Sequence, residues 1–568
     1  MKREWQISNP RPDAVASVQK ALGCLTVTAT VLANRRIQSG PEARDFMDTA
    51  LSRLRPPFSM KDMEKAVCRI ADAILGREKI LIFGDYDVDG VTSTAILLEF
   101  LQYAGADVTF YIPHRTREGY DLQVHHIFGH ALPNSVDLII TVDCGSTRHE
   151  AVQAAREIGI DVIITDHHTI AAPPPAVAVV NPRRQDCTAG FGHLAGVGVA
   201  FSLLICLRKH LRDLGFWATR PEPNLKAFCD LVALGTVADM VPLVDENRIL
   251  AQIGLGVINT GQRAGISALT RATGIEPHTA SSDDIAFRLA PRINAAGRLS
   301  HARKAVELLT TRQPERAEEI AQELNRMNRV RQETEKRMLE KILDRIKKHP
   351  EILDKKALVL TGGDWHEGVL GIVAAKLVEK FFRPVILIST RNGMGKGSGR
   401  SIPGISIYRG IEAGAEFLEK FGGHPMAAGL EIRPDQIEPF SAQFEAAISA
   451  ASRPENLSKI IPIDCELRFR DIPDRLIDEL ESLGPFGTGN PEPLFLARNV
   501  RVSSSKIIGR HHRRMTLKQF GDDSCTVPAI QFNVDRNRLE NTFERIAFRL
   551  RWNRWNGRKT AQIIIEET

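Results

Sequence analysis

Three short apolar runs, Ile80–Phe83, Leu138–Val142 and Val162–Thr165, each end in a loop rich in carboxylates. The loops are Asp85-Tyr86-Asp87-Val88-Asp89-Gly90, Asp143-Cys144-Gly145 and Asp166-His167-His168. Brief β-branched runs with no polar alternation predict strands buried on both faces, as in a parallel sheet. Behind the first loop, Val91 to Tyr103 has helical spacing through Ala95, Leu98 and Leu101, and His149 to Ile158 repeats the pattern after the second. Strand, loop and helix in succession predict a parallel α/β sheet, whose ligands bind at the carboxyl ends of the strands. All three loops fall at such ends, so segments distant in sequence converge on one place.

Further along, the pattern changes twice. From Pro314 to about Lys348 the chain is strongly charged, with Ile320, Leu324 and Met327 at helical spacing and no proline after Pro314. This predicts one long helix that spaces two domains across a groove. After Arg501 short runs alternate like strands (Val500 to Val502, Thr526 to Phe532, Ala561 to Ile565), consistent with an OB-type β-barrel. The expected organisation is an N-terminal arm (1–50), a metal-binding α/β domain (51–300), a connecting helix region (301–352), a second α/β domain (353–452) and a barrel (455–568), with Pro454 at the last boundary. No internal repeat is present.

Composition changes this picture little. A chain of 568 residues has ample length for several cores. The eight cysteines contain no C-x-x-C pair, which argues against a zinc ribbon or a disulfide framework and predicts a reducing compartment. Met1 to Trp5 lacks an apolar signal core, and no apolar run approaches the ~18 residues of a membrane span. The expectation is a soluble, cytoplasmic monomer with no membrane association.

Charge is placed unevenly. The net charge is +6, yet from Arg501 onward fourteen Lys and Arg face seven Asp and Glu, so the tail alone carries +7. Arg551-Trp552-Asn553-Arg554-Trp555, Arg558-Lys559 and His511-His512-Arg513-Arg514 interleave bases with flat rings. Such a segment suits phosphates and stacked bases, or it is a basic domain with core tryptophans.

The chemistry lies in the three loops. Asp85, Asp87 and Asp89 are two apart, so an extended chain places them on one side. That density of charge calls for cations. An EF-hand is excluded, because the twelfth position is Ile96 and a strand precedes the loop. Carboxylates with imidazole suit two divalent ions, manganese or magnesium rather than zinc, and such pairs serve phosphoester chemistry. Gly395-Lys396-Gly397-Ser398-Gly399-Arg400-Ser401 and Gly422-Gly423-His424-Pro425 offer free backbone N–H groups and cations for phosphate. No P-loop occurs, so no ATP hydrolysis is expected.

The blocks GDYDVDG, VDCGS, TDHH and LGTVADMVPL, followed by HLAGVGVAF and APRINAAGR, resemble the DHH phosphoesterase superfamily. GDWHEGVLGIVAAKL, GSGRS and FGGHPMAAG resemble its DHHA1-type substrate-binding domain, and PFGTGNPEPLF resembles the start of a third domain found in its exonuclease members. The resemblance covers nearly everything after about residue 50. It implies a parallel-sheet DHH domain, a long connecting helix, a second α/β domain of the DHHA1 type and a C-terminal OB-type β-barrel.

The resemblance also implies roles. Asp85 or Asp87 with Asp143 would hold one cation, and Asp89, Asp143 and His167 the other, with Asp143 as the bridge. Asp239 is the final ligand, with Asp230 as the alternative. Asp166 orients a histidine, and His168 faces the scissile phosphate. The first block begins with Asp85 where other superfamily members carry a histidine, which leaves open whether Asp85 coordinates directly.

For substrate, the resemblance implies single-stranded DNA degraded from its 5′ end to mononucleotides in repair and recombination, alongside a helicase and a single-strand-binding protein. Arg115 and Ser398 with Arg400 are candidates for the terminal phosphate, because guanidinium forks bind phosphate bidentately. Arg292, Asn294 and Arg298 are candidates for the strand backbone, with Gly422, Gly423 and His424 beside them. Two other readings compete. A small-nucleotide phosphohydrolase has no need of the basic third domain, and a scaffold with a decayed site would have lost ligands that are all present here.

Overall fold

The computed structural model describes residues 3–115, 117–391, 393–453, 458–509, 511–535, 539–555 and 558–568. Pro454 and the side chains of Trp555 and Arg558 lie outside the described residues. The chain opens with a short strand, β1 (Arg3–Ile7), and three helices, Pro12–Leu22, Thr26–Asn34 and Gly40–Met47.

The first large sheet contains β2 (Lys79–Gly84), β3 (Asp107–Tyr111), β4 (Leu138–Val142), β5 (Asp161–Thr165) and β6 (Ala178–Val180). Its order is β3-β2-β4-β5-β6, and every pair is parallel. Both faces are covered, which explains the unbroken apolar runs. Ile80, Ile82 and Ile140 face the helices Val88–Tyr103 and Gly196–Asp213 in one core. Leu81, Phe83 and Ile139 face Val152 and Ala155 of helix His149–Glu157 in another. The strand ends β2, β4 and β5 lie side by side, so the three acidic loops meet.

The charged segment is a single 35-residue helix, Pro314–Lys348. At 1.5 Å per residue it is about 50 Å long. Ile320 and Leu324 bury against the first domain, and Met338, Ile342 and Ile346 bury in the core of the next. That second domain is a five-stranded mixed sheet of β7 (Leu358–Gly362), β8 (Val385–Ser389), β9 (Gly395–Arg400), β10 (Leu418–His424) and β11 (Ala427–Ile432), ordered β10-β11-β9-β8-β7.

One expectation is corrected here. The glycine-rich segment 395–400 is not a loop with free amides. It is the central strand β9, hydrogen-bonded to β8 and to β11. The glycines allow close packing: a Cβ at Gly395, Gly397 or Gly399 would meet Ile432, Leu430 or Ile407 within 3 Å. Gly422, Gly423 and His424 likewise lie in strand β10 rather than in a loop.

The C-terminal unit holds β12 (Lys459–Ile463), β13 (Cys465–Glu466), β14 (Phe495–Ile508), β15 (His512–Gln519), β16 (Asp522–Gln531), β17 (Thr542–Trp555) and β18 (Arg558–Glu567). An additional pairing of β14 with β17 closes the sheet into a barrel. β1 pairs in parallel with β12, and Val18, Leu32 and Ala43 share a core with Leu476, Leu480 and Phe548. The first fifty residues thus pack on the barrel. Among the described residues, no helix is long and apolar enough to cross a membrane.

Four cations of the basic tail are paired with carboxylates. Arg551 pairs with Glu492 and Asp283, Arg549 with Glu492, and Arg554 with Glu481. Trp552 is buried, its indole N–H donates to Asp478 at 2.8 Å, and the Lys559 ammonium sits over its ring. Arg513 is buried as well. Stacking of bases on Trp552 is therefore excluded, and Arg549, Arg551, Arg554 and Lys559 are neutralised locally.

Candidate metal centre and substrate groove

Asp85 follows β2 and is buried, with its Oδ1 lacking a hydrogen-bond partner among the described residues. Asp87 caps helix Val88–Tyr103, and its Oδ1 accepts the N–H groups of Asp89 and Gly90 at 2.9 and 3.1 Å. Asp89 therefore stands in the first helical turn, not in the extended chain that the spacing suggested. Helix geometry and the cap turn the three carboxylates inward together.

Asp89 is buried, and both its oxygens accept backbone N–H groups, Oδ2 from Gly196 at 2.6 Å and Oδ1 from Val197 at 2.8 Å. Those amides open helix Gly196–Asp213. Asp143 sits at the end of β4 with φ +59°, and its Oδ1 also lacks a hydrogen-bond partner. His167 Nε2 lies 3.2 Å from that oxygen, 3.6 Å from Asp239 Oδ2 and 3.8 Å from Asp89 Oδ2. Asp239 terminates helix Cys229–Ala238.

Two triads thus form, Asp85–Asp87–Asp143 and Asp89–His167–Asp239, with a third set, Asp143–His167–His168, between them. Burial, then the charge of Asp87, pushes Asp89 up to about 7. Burial, then Asp89, pushes Asp239 up to about 8. Asp85 and Asp143 rise well above the carboxylate range, chiefly through burial. Burial and the neighbouring His168 push His167 down to about 3, so it is neutral and able to ligate. Mutually facing carboxylates with orphaned buried oxygens fit a pair of hard divalent cations.

Asp166 belongs to a different class. Its Oδ1 accepts His168 Nδ1–H at 2.7 Å and the His167 and His168 amides at 2.7 and 3.1 Å, while Oδ2 accepts Ser146 N–H at 3.2 Å. The histidine ring it orients is therefore His168, and it touches His167 only through backbone. Burial opposes charge on His168, but the hydrogen bond and charge of Asp166 outweigh it and lift His168 to about 9. Asp230, the alternative ligand, is excluded by its surroundings: it is buried against Arg263 at 2.6 Å, which also holds Glu99.

Beside the cage a groove of about 690 Å³ separates the two α/β domains, lined by Arg115, Arg298, Lys396, Ser398 and Gly422 among others. Arg115 lies over the Tyr86 ring at 4.8 Å. Arg298 donates to the Gly368 carbonyl at 3.1 Å, and burial, then the charge of Arg115, pushes it down to about 9. Arg400 donates to the Gly399 carbonyl at 2.7 Å and to Ser398 Oγ at 3.3 Å. Among the described residues, none of these three arginines pairs with a carboxylate, so together they await an anion.

Arg292 is held by the Arg288 carbonyl and Asn325, while Asn294 is half-buried on the same helix, Ala290–Leu299. The His424 ring stacks near His168, with centroids 6.2 Å apart. Gly423 adopts φ +141°, where a Cβ would meet the Ala427 carbonyl at 2.5 Å.

Sequence reasoning missed the supports. Gly196 and Val197 carry the amides that hold Asp89, and a Cβ on Gly196 would stand 2.7 Å from Asp143 Oδ1. Gly371 lies against the groove, where a Cβ would meet Arg400 at 2.6 Å and Ser398 at 3.0 Å. The tight glycine spacing in HLAGVGVAF and GVLGIV was the available signal.

Comparison with known proteins agrees with this architecture. The DHH family N-terminal domain matches residues 79–236, the DHHA1 domain 354–450 and the RecJ OB domain 463–567. The single-stranded-DNA-specific exonuclease RecJ of Salmonella typhimurium is 34% identical over 586 residues, covering all of this chain and 99% of that protein. RecJ of Bacillus subtilis is 36% identical, covering 100% of this chain and 71% of its own length. The crystal structure of Thermus thermophilus RecJ in complex with Mn²⁺ superposes with a TM-score of 0.84 at 32% identity, covering 100% of this chain and 79% of that one. With catalytic sheet, second domain and barrel all matched in order, this chain belongs to the RecJ family of DHH phosphoesterases.

Proposed function

We propose that this chain is a metal-dependent exonuclease specific for single-stranded DNA, which acts from the 5′ end and releases 5′-mononucleotides in repair and recombination. The observation that carries it is the adjacency of two features: a carboxylate–imidazole cage with orphaned buried oxygens, and a groove lined by Arg115 and Arg298 with Arg400 near them, none paired with a carboxylate among the described residues.

Two divalent ions, Mn²⁺ or Mg²⁺, would be held by Asp85, Asp87 and Asp143 and by Asp89, His167 and Asp239, and would supply water activation and charge neutralisation at the phosphate. The remaining work belongs to side chains. Asp166 fixes the His168 ring through Nδ1, which leaves Nε2 to hydrogen-bond the scissile phosphate. Arg115, Arg400 and Ser398 anchor the terminal 5′ phosphate, and this anchor sets polarity by measuring one nucleotide from the cage. Arg292, Asn294 and Arg298 grip the following backbone. His424 and the Gly422-Gly423 strand close the groove against the domain opposite.

A nucleic acid is favoured over a small nucleotide by the other side of the cage. Directly after Asp239, Met240 is 72% exposed, and Phe287 is 75% exposed. Both line an apolar cavity of about 580 Å³ between the catalytic domain and the barrel. Unpaired bases leaving the cage can stack there, whereas paired bases cannot. A helicase to open duplex and a single-strand-binding protein are the partners such an activity calls for.

The test is a time course on single strands labelled at either end, with Mn²⁺ or Mg²⁺ and with EDTA, beside a matched duplex. Immediate mononucleotide release from the 5′ label, only with metal and only from single strands, is expected. Immediate release from the 3′ label would overturn the polarity, and no cleavage would overturn the activity.

A further inference from the structure

Glu118 lines the groove with Arg115, Arg298, Lys396 and Ser398, as do Glu431 and Glu367, the latter paired with Lys396. The Glu118 carboxylate is held by two neighbours. Oε2 accepts the Tyr111 hydroxyl at 2.7 Å and lies 3.1 Å from His126 Nε2.

The His126 tautomer follows from a third contact. Nδ1 accepts the Gln123 backbone N–H at 3.0 Å. In the neutral ring the proton is therefore on Nε2, and it is donated to Glu118. Burial pushes His126 down to about 4, so the neutral ring prevails near pH 7. His125 completes a set with the donor types of a metal site. However, His126 Nε2 has no free lone pair while Nδ1 accepts an amide proton, so the cluster is a hydrogen-bond relay rather than a metal site.

The relay is braced at both ends. The Phe83 ring, two residues before Asp85, lies 5.7 Å from Tyr111 and 4.9 Å from His126. On the other side, Arg117 and Glu118 both donate their backbone N–H to the His114 carbonyl, at 3.1 and 2.9 Å. This closes a turn on which Arg115 sits over Tyr86. The turn is thus tied through Glu118 to Tyr111 on β3 and to His126, and both pack on Phe83 of β2, the strand that leads to Asp85.

We propose that Glu118, held by Tyr111 and His126, is a positioning residue that fixes the turn carrying Arg115, so that its guanidinium meets the terminal 5′ phosphate of the strand. This rests on the reading of Arg115 as part of the 5′ anchor. The carboxylate serves as the shared acceptor for the Tyr111 hydroxyl and the His126 ring N–H.

The experiment compares kcat and KM on 5′-phosphorylated and 5′-hydroxyl single strands of one sequence. The wild type should prefer the phosphorylated strand, and Arg115→Ala should abolish that preference. Glu118→Ala should raise KM for phosphorylated strands on the order of tenfold, with kcat within about twofold. Glu118→Gln still accepts both hydrogen bonds and should stay within about threefold of wild type, while Tyr111→Phe should fall between. Adding Glu118→Ala to Arg115→Ala should cost nothing more, since both act on one contact.

Equal losses on both strand types, or a Gln variant as impaired as the Ala variant, would overturn the inference. If the wild type shows a phosphate preference that Glu118→Ala retains, the positioning role fails and the anchor stands. If the wild type shows no preference, the anchor and this inference fail together, even though nuclease activity remains.

Discussion

Replacing Gly196 with alanine tests how tightly the cage is set. The added Cβ would lie 2.7 Å from Asp143 Oδ1, 2.8 Å from its Cβ and 2.9 Å from its Cγ. Contact with the root of the side chain leaves no flexible end to give way, so either Asp143 or the start of helix Gly196–Asp213 must shift. The helix cannot shift freely, since the Gly196 amide donates to Asp89 at 2.6 Å. Overpacking of this kind costs about 1–3 kcal/mol of stability. Displacing two carboxylates of the cage by several tenths of an ångström to 1 Å should cost about a hundredfold in rate, equivalent to about 2.7 kcal/mol.

Gly198→Ala is the matched control on the same helix. The three atoms nearest its Cβ all belong to Leu194, the first being Cδ2 at 3.2 Å, and alanine is the better helix former by about 1 kcal/mol. It should stay within about threefold of wild type. Initial rates on a 5′-labelled single strand across a Mn²⁺ titration, with melting temperatures alongside, give the comparison. If Gly196→Ala cleaves within threefold of wild type at every Mn²⁺ concentration, the close packing around Asp143 does not govern the cage and the argument fails.

Three further outcomes are expected. Asp239→Asn should lose at least about a hundredfold in activity with its fold intact, while Asp230→Asn should lose stability through the buried Arg263 left behind and retain turnover per folded molecule; the reverse pattern in rates and melting would exchange their roles. Glu246 is opposed by burial but is held down to about 2 by Arg55 and His193. Its contribution is therefore complete above the ordinary carboxylate range and fades as pH falls towards 2, so the stability gap between wild type and Glu246→Gln, about 2 kcal/mol at pH 7, should shrink below half by pH 3; a gap constant between pH 7 and 3 in denaturant melts would refute this. Phe287→Ala should raise KM for single strands about five- to tenfold, yet change little on strands with abasic sites behind the second nucleotide; equal loss on both would argue against stacking.

The residues of the cage were legible because each sits in a local pattern. An apolar run followed by Asp85-Tyr86-Asp87-Val88-Asp89-Gly90 states both the strand and the cage carboxylates within a dozen positions. What holds them was not legible, because the contacts span the chain: the Gly196 and Val197 amides reach Asp89 over more than a hundred positions. Asp230 and Asp239 flank one apolar helix, and only the distant Arg263 tells them apart. The glycines of β9 looked like a loop because their packing partners, Ile407, Leu430 and Ile432, lie further along the chain. The tail could be read as a phosphate-binding surface or as a basic domain with core tryptophans, because Glu492, Glu481 and Asp283, which pair with its arginines, precede it.

The carboxylates of the site divide by the charges around them, histidines for Asp166 and other carboxylates for the rest, and this has a thermodynamic consequence. Asp166 has both oxygens engaged by N–H donors and stays ionised. Asp85, Asp143, Asp89 and Asp239 face one another, and burial raises all four. A carboxylate whose folded pKa is raised destabilises the fold as pH climbs past its ordinary value, and the cost keeps growing until the raised value is passed. For Asp89 and Asp239 that window runs from about 4 to about 7 and 8. Cations remove the cost, but at low pH they must first displace protons. The melting temperature should therefore rise more on adding Mg²⁺ at pH 8 than at pH 5.5, and Asp239→Asn should flatten the difference. An equal Mg²⁺ effect at both pH values would mean that the four carboxylates are not the ligands, because no proton would then be competing for the site.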